Sequence, residues 1–144
     1  IVVPILKRIS NKMGFVDAKQ EKEAAAGQIE ALRIKTPSAQ QLAGNLSGGN
    51  QQKVVLGKWL ANNCQVLILD EPTRGVDVGA KQEIYNIIND LAAQGKGIIV
   101  ISSDMEEIIG ITDRMLILYE GELRGKLEHA EYTQETILKI ASGE

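Results

Sequence analysis

The octet Leu46-Ser47-Gly48-Gly49-Asn50-Gln51-Gln52-Lys53 constrains this chain more than any other stretch. It reads as a tight turn that opens a helix running from Asn50 to Ala61. The first amides of a helix have no intrahelical partner and carry partial positive charge. Two glycines remove the Cβ atoms, so an anion can approach the backbone, and the Ser47 hydroxyl adds a donor. Further on, Val66 to Leu69 is apolar at every residue and runs into Asp70-Glu71-Pro72. That pattern predicts a parallel strand covered on both faces. Its two acids then fall at the carboxyl end of the strand, where open α/β sheets place their ligands.

The surrounding sequence divides near Gly44. Before it, the pattern is helical. Val2 to Ser10 is expected to form one helix with Pro4 in its first turn, and Gly14-Phe15-Val16 to break it. Asp17 should cap a second helix through about Ile34, and Thr36-Pro37 should start a short third one ending near Ala43. After Gly44, strands alternate with helices. Asp77 should cap a long helix with a stripe at Ile84, Ile87, Ile88 and Leu91, and Gly95 should close it. Ile98 to Ile101 reads as a second buried strand, followed by a short helix over Met105 to Ile109. Met115 to Tyr119, Glu120-Gly121 and Glu122 to Lys126 give a strand, turn, strand signal, and Tyr132 to Ala141 a terminal helix. The fold class is therefore α/β, a parallel sheet with flanking helices plus a small helical subdomain.

Bulk properties remove several alternatives. Sixteen basic against nineteen acidic residues give a net charge of −3, so no general field draws the chain to nucleic acid. The single cysteine, Cys64, excludes an internal disulfide framework and suits a reducing compartment. The longest purely apolar runs are far shorter than the roughly twenty residues of a membrane helix. No signal peptide is recognisable, and the chain opens on Ile1, so we expect a piece of a longer cytoplasmic protein.

The acids carry the chemistry. Asp70 is a hard oxygen ligand of the kind that suits Mg²⁺, commonly through a retained water. Glu71, placed within one water of a terminal phosphate, can orient or deprotonate an attacking water. The octet and the run Asp70-Glu71-Pro72-Thr73-Arg74-Gly75-Val76-Asp77-Val78-Gly79-Ala80 together resemble the ATP-binding cassette family, the nucleotide-hydrolysing subunits of transporters. The extended form is similar to the second cassette of bacterial ribose, galactose and xylose importers, strongly over about residues 40 to 125.

The resemblance implies specific roles. ATP and Mg²⁺ are the expected cofactors. Ser47, Gly48, Gly49 and Gln51 are expected at an ATP phosphate, Asp70 as the magnesium acid, Glu71 as the base, and Asp77 at the interface between cassettes. Ser103 is a departure, because cassettes usually carry a histidine there that contacts the γ-phosphate. Ser103 and Glu106 also fit an S-x-x-E capping box for the next helix, and a serine offers no imidazole, so this cassette's own site should be weakened. Residues 1–44 correspond to part of the helical subdomain and residues 45–144 to the second half of the core.

The phosphate cradle G-x-x-x-x-G-K-[ST] is missing. Gly44 to Gly49 has the glycine spacing, but Asn50-Gln51 stands where Lys-[ST] is required. In the family, two cassettes pair head to tail and each nucleotide lies between the cradle of one and the signature of the other. The expectation is that Ser47, Gly48 and Gly49 act in trans on ATP held by a second cassette, in the same polypeptide. Membrane permease subunits are the other implied partners, at the cytoplasmic face of the membrane; the isolated chain should be inactive and prone to self-association. Rival readings are a non-transport cassette ATPase, as in chromosome or DNA-repair proteins, and a non-catalytic docking module. Heptads and basic DNA-facing patches, expected of the first rival, are not visible. Among lesser signals, His129 reads as a surface residue, Cys64 as a small buried hydrophobe and Trp59 as core or subdomain packing. Lys53 fits either a solvated helix or a phosphate.

Overall fold

The structure, a computed structural model, describes residues 1–143. Its elements are α1 (Ala18–Ala31), α2 (Gly48–Leu60), β1 (Val66–Asp70), α3 (Val78–Ala93), β2 (Gly97–Ile101), α4 (Met105–Ile111), β3 (Arg114–Tyr119), β4 (Glu122–Glu128) and α5 (Gln134–Ala141). Short 3-10 turns lie at Val3–Ile5, Ala43–Asn45 and His129–Glu131. β1 and β2 form one two-stranded sheet, β3 and β4 another. The Gly97 amide donates to the Gln65 carbonyl and the Glu71 amide to that of Ile101, so β1 and β2 advance together and are parallel.

Two compact units divide the chain. The first comprises Ile1–Leu67 and Pro72–Ile99; the second comprises Ile68–Glu71 and the chain from Val100 onward. In the first unit, α3 buries Ile84, Ile88 and Leu91, three positions of the expected stripe, while α2 buries Leu56. A satellite cluster of Ile5, Ile9 and Ala61 holds the N-terminal segment down. Gly95, with φ +84°, ends α3 in the left-handed conformation that a helix stop favours.

In the second unit, Met115, Ile117, Leu127 and Ile137 make the core, with Met105, Ile108 and Tyr132 packed against it. Glu120 and Gly121 both have positive φ, 48° and 81°, giving the two-residue hairpin turn that matches strand twist. Register slips between Ile117↔Gly125 and Leu118↔Leu123, so Arg124 is the extra residue of a bulge. The close approach of Ile140 Cγ2, 2.8 Å from where a Cβ on Gly125 would stand, seats α5 on the hairpin.

Four expectations fail, each for a local reason. The helix over Val2 to Ser10 reduces to the 3-10 turn, because the Asn11 carboxamide accepts from the Met13 and Phe15 amides and turns the chain back, bridging Ser10 to Val16. No helix starts at Thr36-Pro37: the Thr36 hydroxyl donates to the Ser38 carbonyl instead of accepting an amide, and only Ala43–Asn45 coils. α1 stops at Ala31, with Arg33 turning left-handed at φ 50°, short of Ile34. The parallel strands are covered on one face only. Leu67 and Leu69 are buried, whereas Val66 is 59% and Ile68 66% exposed, and Ile99 and Ile101 are about half exposed. Side-chain alternation sends Val66 and Ile68 to the face opposite Leu67 and Leu69, and an apolar run carries no information about which face is packed.

Candidate functional site

The first unit presents the N-terminus of α2. Ser47 occupies the N-cap position, and the helix begins at Gly48, two residues before the expected Asn50. Its neighbours show what is unusual about it. Asp17, Asp77, Asp104 and Thr133 each accept a first-turn amide of α1, α3, α4 and α5. Ser47 accepts none, and the first turn of α2 carries no acid. The positive end of this helix is thus left without a built-in negative partner. Ser47 and Gly48 are exposed. Gln51, expected at phosphate, donates its side-chain amide to the Leu46 carbonyl at 2.8 Å and braces the turn.

The two glycines have different duties. A Cβ on Gly48 would meet nothing closer than the Gly75 carbonyl oxygen at 3.4 Å, an ordinary contact. A Cβ on Gly49, which is buried, would stand 2.4 Å from the Ala80 Cβ. Gly49 therefore lets the start of α2 press against the start of α3. Asp77 caps α3 there, its Oδ1 accepting from the Ala80 amide at 2.9 Å. One turn further along both helices, Lys53 Nζ donates to Glu83 Oε2 at 2.6 Å and to the Arg33 carbonyl at 3.3 Å.

Lys53 is 2% exposed, which settles what its sequence left open. It is a buried tie between α2 and α3, with no reach to a phosphate. Its hydrogen bond, and then its charge, holds the Glu83 carboxyl below the usual glutamate range; Lys35 at 3.6 Å adds a smaller push and partial burial opposes them. The spacing carried a usable signal: Lys53 lies one helical turn past Gly49, and Glu83 nearly one turn past Ala80.

The second unit presents the acids. Asp70 is the last residue of β1 and is exposed. Glu71 follows in the left-handed region at φ 46°, a conformation that costs a non-glycine residue about 1–3 kcal/mol. The Ile101 carbonyl accepts its amide at 2.8 Å, and its Oε1 accepts the Ser103 amide at 2.9 Å. Glu71 and Ser103, far apart in sequence, are thus brought into contact, and the contact uses the Ser103 backbone. The expected Ser103–Glu106 capping box does not form. Asp104 caps α4, accepting from Glu107, because Ser102 Oγ takes the Asp104 amide and starts the helix one residue later. Ser103 is left exposed with its hydroxyl outside the cap.

Among the described residues no three acids, histidines or cysteines gather into a metal cluster. A lone exposed carboxylate such as Asp70 fits Mg²⁺, which keeps several waters and takes phosphate oxygens for the rest. The minor residues are placed plainly. His129 is exposed, its ring 5.1 Å from that of Tyr132. Trp59, expected in core or subdomain packing, is 51% exposed, with the Lys58 ammonium 5.4 Å from its ring centroid. Cys64, expected to be buried, is half-buried with Sγ 3.5 Å from the Trp59 carbonyl. No helix among the described residues is long and apolar enough to cross a membrane.

Comparison with known proteins places this arrangement. The family model described as ABC transporter matches residues 4–74. The chain is 51% identical over 138 residues to a ribose import ATP-binding protein of Clostridium perfringens, covering 96% of this chain and 28% of the relative. It is 52% identical over 136 residues to an arabinose import ATP-binding protein of Pectobacterium atrosepticum, covering 94% of this chain and 27% of the relative. The chain therefore spans a little over a quarter of the length of the curated relatives it matches. The fold is similar to a dimeric ATP-binding cassette bound to ADP and Pi, with TM-score 0.73 and 21% identity over 90% of this chain and 55% of that one. A second cassette, in an ADP conformation, gives TM-score 0.67 and 24% identity over 89% of this chain and 49% of that one. These likenesses establish the P-loop NTPase type of fold, and with the sequence matches they show that the chain belongs to the ATP-binding cassette family of ABC transporters.

Proposed function

We propose that this chain is the signature-bearing part of an ATP-hydrolysing cassette that drives uptake of a monosaccharide. The single observation that carries the proposal is the N-terminus of α2, the one α-helix among the described residues whose N-cap side chain accepts no backbone amide. Ser47, Gly48 and Gly49 grip the terminal phosphate of ATP in trans, with Gln51 holding their turn from behind. The head-to-tail pairing of the family implies that the Lys-bearing phosphate cradle facing this turn belongs to a second cassette. Mg²⁺ and ATP are the cofactors, and permease subunits at the cytoplasmic face of the membrane are the further partners. Residues 1–44 form part of the helical subdomain and residues 45–144 the second half of the core. Sugar-importer relatives near 50% identity over almost the whole chain support the transport reading over a DNA-repair one.

At the cassette's own site, Asp70 would hold Mg²⁺, which supplies charge neutralisation of the phosphates when bound. Glu71 orients the attacking water and accepts its proton. Its rotamer is fixed by the Ser103 amide, and its left-handed backbone aims the side chain off the end of β1. Ser103 faces the nucleotide where a histidine is usual, so hydrolysis here is slow relative to the trans site. Asp77, at the start of α3 beside Gly49, stands where each site can sense the other. The test is the ATPase rate of the complete transporter carrying Ser47→Arg. We expect loss of most activity with the assembly intact; a rate near that of the parent overturns the proposal.

A further inference from the structure

Asn50 occupies a slot of the signature to which no role has been given above, yet it sits inside a directed chain of hydrogen bonds. The Lys35 backbone amide donates to Asn50 Oδ1 at 2.8 Å. Asn50 Nδ2 donates to Ser47 Oγ, also at 2.8 Å. A backbone N–H can only donate, so the atom facing Lys35 must be the oxygen, and the NH₂ must therefore face Ser47. A hydroxyl has one proton, and a hydroxyl oxygen that receives an N–H directs that proton elsewhere.

We infer that Asn50 is a positioning residue that occupies a lone pair of Ser47 Oγ and so directs the hydroxyl proton outward, toward a terminal phosphate. The inference rests on the trans-signature reading and deepens it. Without Asn50, the Ser47 hydroxyl is free to cap its own helix by accepting the Asn50 amide, as serines at N-caps ordinarily do. In that arrangement the helix satisfies itself and gives up one amide that an anion would take. The bond to Asn50 accounts for the one feature that sets α2 apart from the four side-chain-capped helices. The far end of the chain is anchored as well. Lys35 follows the turn whose Arg33 carbonyl accepts from buried Lys53, and its own ammonium lies 3.6 Å from Glu83. The segment after α1 thereby fixes the amide plane of Asn50, and a shift of that segment would be felt at the Ser47 proton.

The experiment is a double-mutant cycle on the complete transporter, with Ser47→Ala, Asn50→Leu and the double variant, reading kcat and KM for ATP. A hydrogen bond to a charged group is worth about ten- to a hundredfold. We expect Ser47→Ala and Asn50→Leu each to lower kcat/KM by about tenfold or more, and the double variant to be no worse than Ser47→Ala alone. Multiplying losses in the double variant would mean that Asn50 acts independently of Ser47, and would overturn the inference while leaving the trans reading intact. A harmless Ser47→Ala alongside an inactive Ser47→Arg would remove the hydroxyl from the mechanism, and the inference with it. A harmless Ser47→Arg would instead remove the trans reading itself. Should Asn50→Leu fail to fold, Asn50→Asp keeps the acceptor for Lys35 and the shape but reverses the second bond, turning the Ser47 proton inward. Its loss should likewise be smaller in the Ser47→Ala background, and equal losses in both backgrounds count against the inference.

Discussion

Replacing Gly49 by alanine separates two reasons for a glycine in the signature turn. One reason is access, because a missing Cβ lets an anion reach the backbone. The other is packing, and the structure assigns it to Gly49, where an added Cβ would lie 2.4 Å from the Ala80 Cβ. Methyl carbons ordinarily stay apart by about 3.5–4.0 Å, so the helices must separate by roughly 1 Å or more at this point. Both contacting atoms are Cβ atoms fixed to helical backbone, and no rotamer change relieves the overlap. Overpacking of this kind costs about 1–3 kcal/mol. The shift also spreads Ser47 from Asp77 and lengthens the Lys53–Glu83 bond one turn along. Gly48→Ala is the matched control, since its Cβ meets only the Gly75 carbonyl oxygen at 3.4 Å. Chemical denaturation of the chain and ATPase assays of the complete transporter give the two readouts. Gly49→Ala should lose about 1–3 kcal/mol of stability together with activity, whereas Gly48→Ala should lose activity with stability almost unchanged. Equal stability of the two variants would refute the packing argument.

Three further outcomes follow from other parts of the molecule. Glu71→Gln keeps the bond from the Ser103 amide and should bind Mg-ATP normally while hydrolysis at that site falls by about a hundredfold or more, measured by single-turnover phosphate release. Glu83→Gln leaves the buried Lys53 ammonium with a weaker partner, and should cost about 2 kcal/mol, between the exposed and buried extremes. Because Lys53 lowers the folded-state pKa of Glu83, its stabilisation is complete above the unfolded-state value and fades as pH falls through the lower folded one. The stability gap between parent and Glu83→Gln should therefore shrink as pH falls below the ordinary glutamate range, and a constant gap would contradict the pair's assignment. Gly27→Ala fills open space on exposed α1 and should raise stability by about 0.5–1 kcal/mol in thermal unfolding.

Where one side chain decides the local structure, the sequence was readable. Asp17 and Asp77 cap as their chemistry demands, Gly95 stops α3, and Glu120-Gly121 makes the hairpin turn. A helix after the Ser-Gly-Gly turn and a strand ahead of the two acids were legible as well, although the helix opens at Gly48 rather than Asn50 and the strand closes at Asp70 rather than Leu69. Competition between neighbouring side chains was not legible. Thr36 could accept or donate, and it donates; Ser103 and Asp104 could each cap α4, and Ser102 tips the choice to Asp104. Long-range pairings were hidden as well. The burial of Lys53, the contact of Glu71 with the Ser103 amide and the link from Lys35 through Asn50 to Ser47 all join segments whose approach only the fold supplies.

The central claim is that the turn at Ser47 to Gly49 binds a phosphate presented by another cassette. An experimental structure of the complete transporter trapped with Mg-ATP tests this most directly. The account predicts the γ-phosphate within hydrogen-bond distance, about 2.7–3.2 Å, of Ser47 Oγ and the first amides of α2, on a nucleotide whose triphosphate wraps in the other cassette's cradle. A closed, nucleotide-loaded assembly in which Ser47 faces solvent or protein, with no phosphate near, would contradict it.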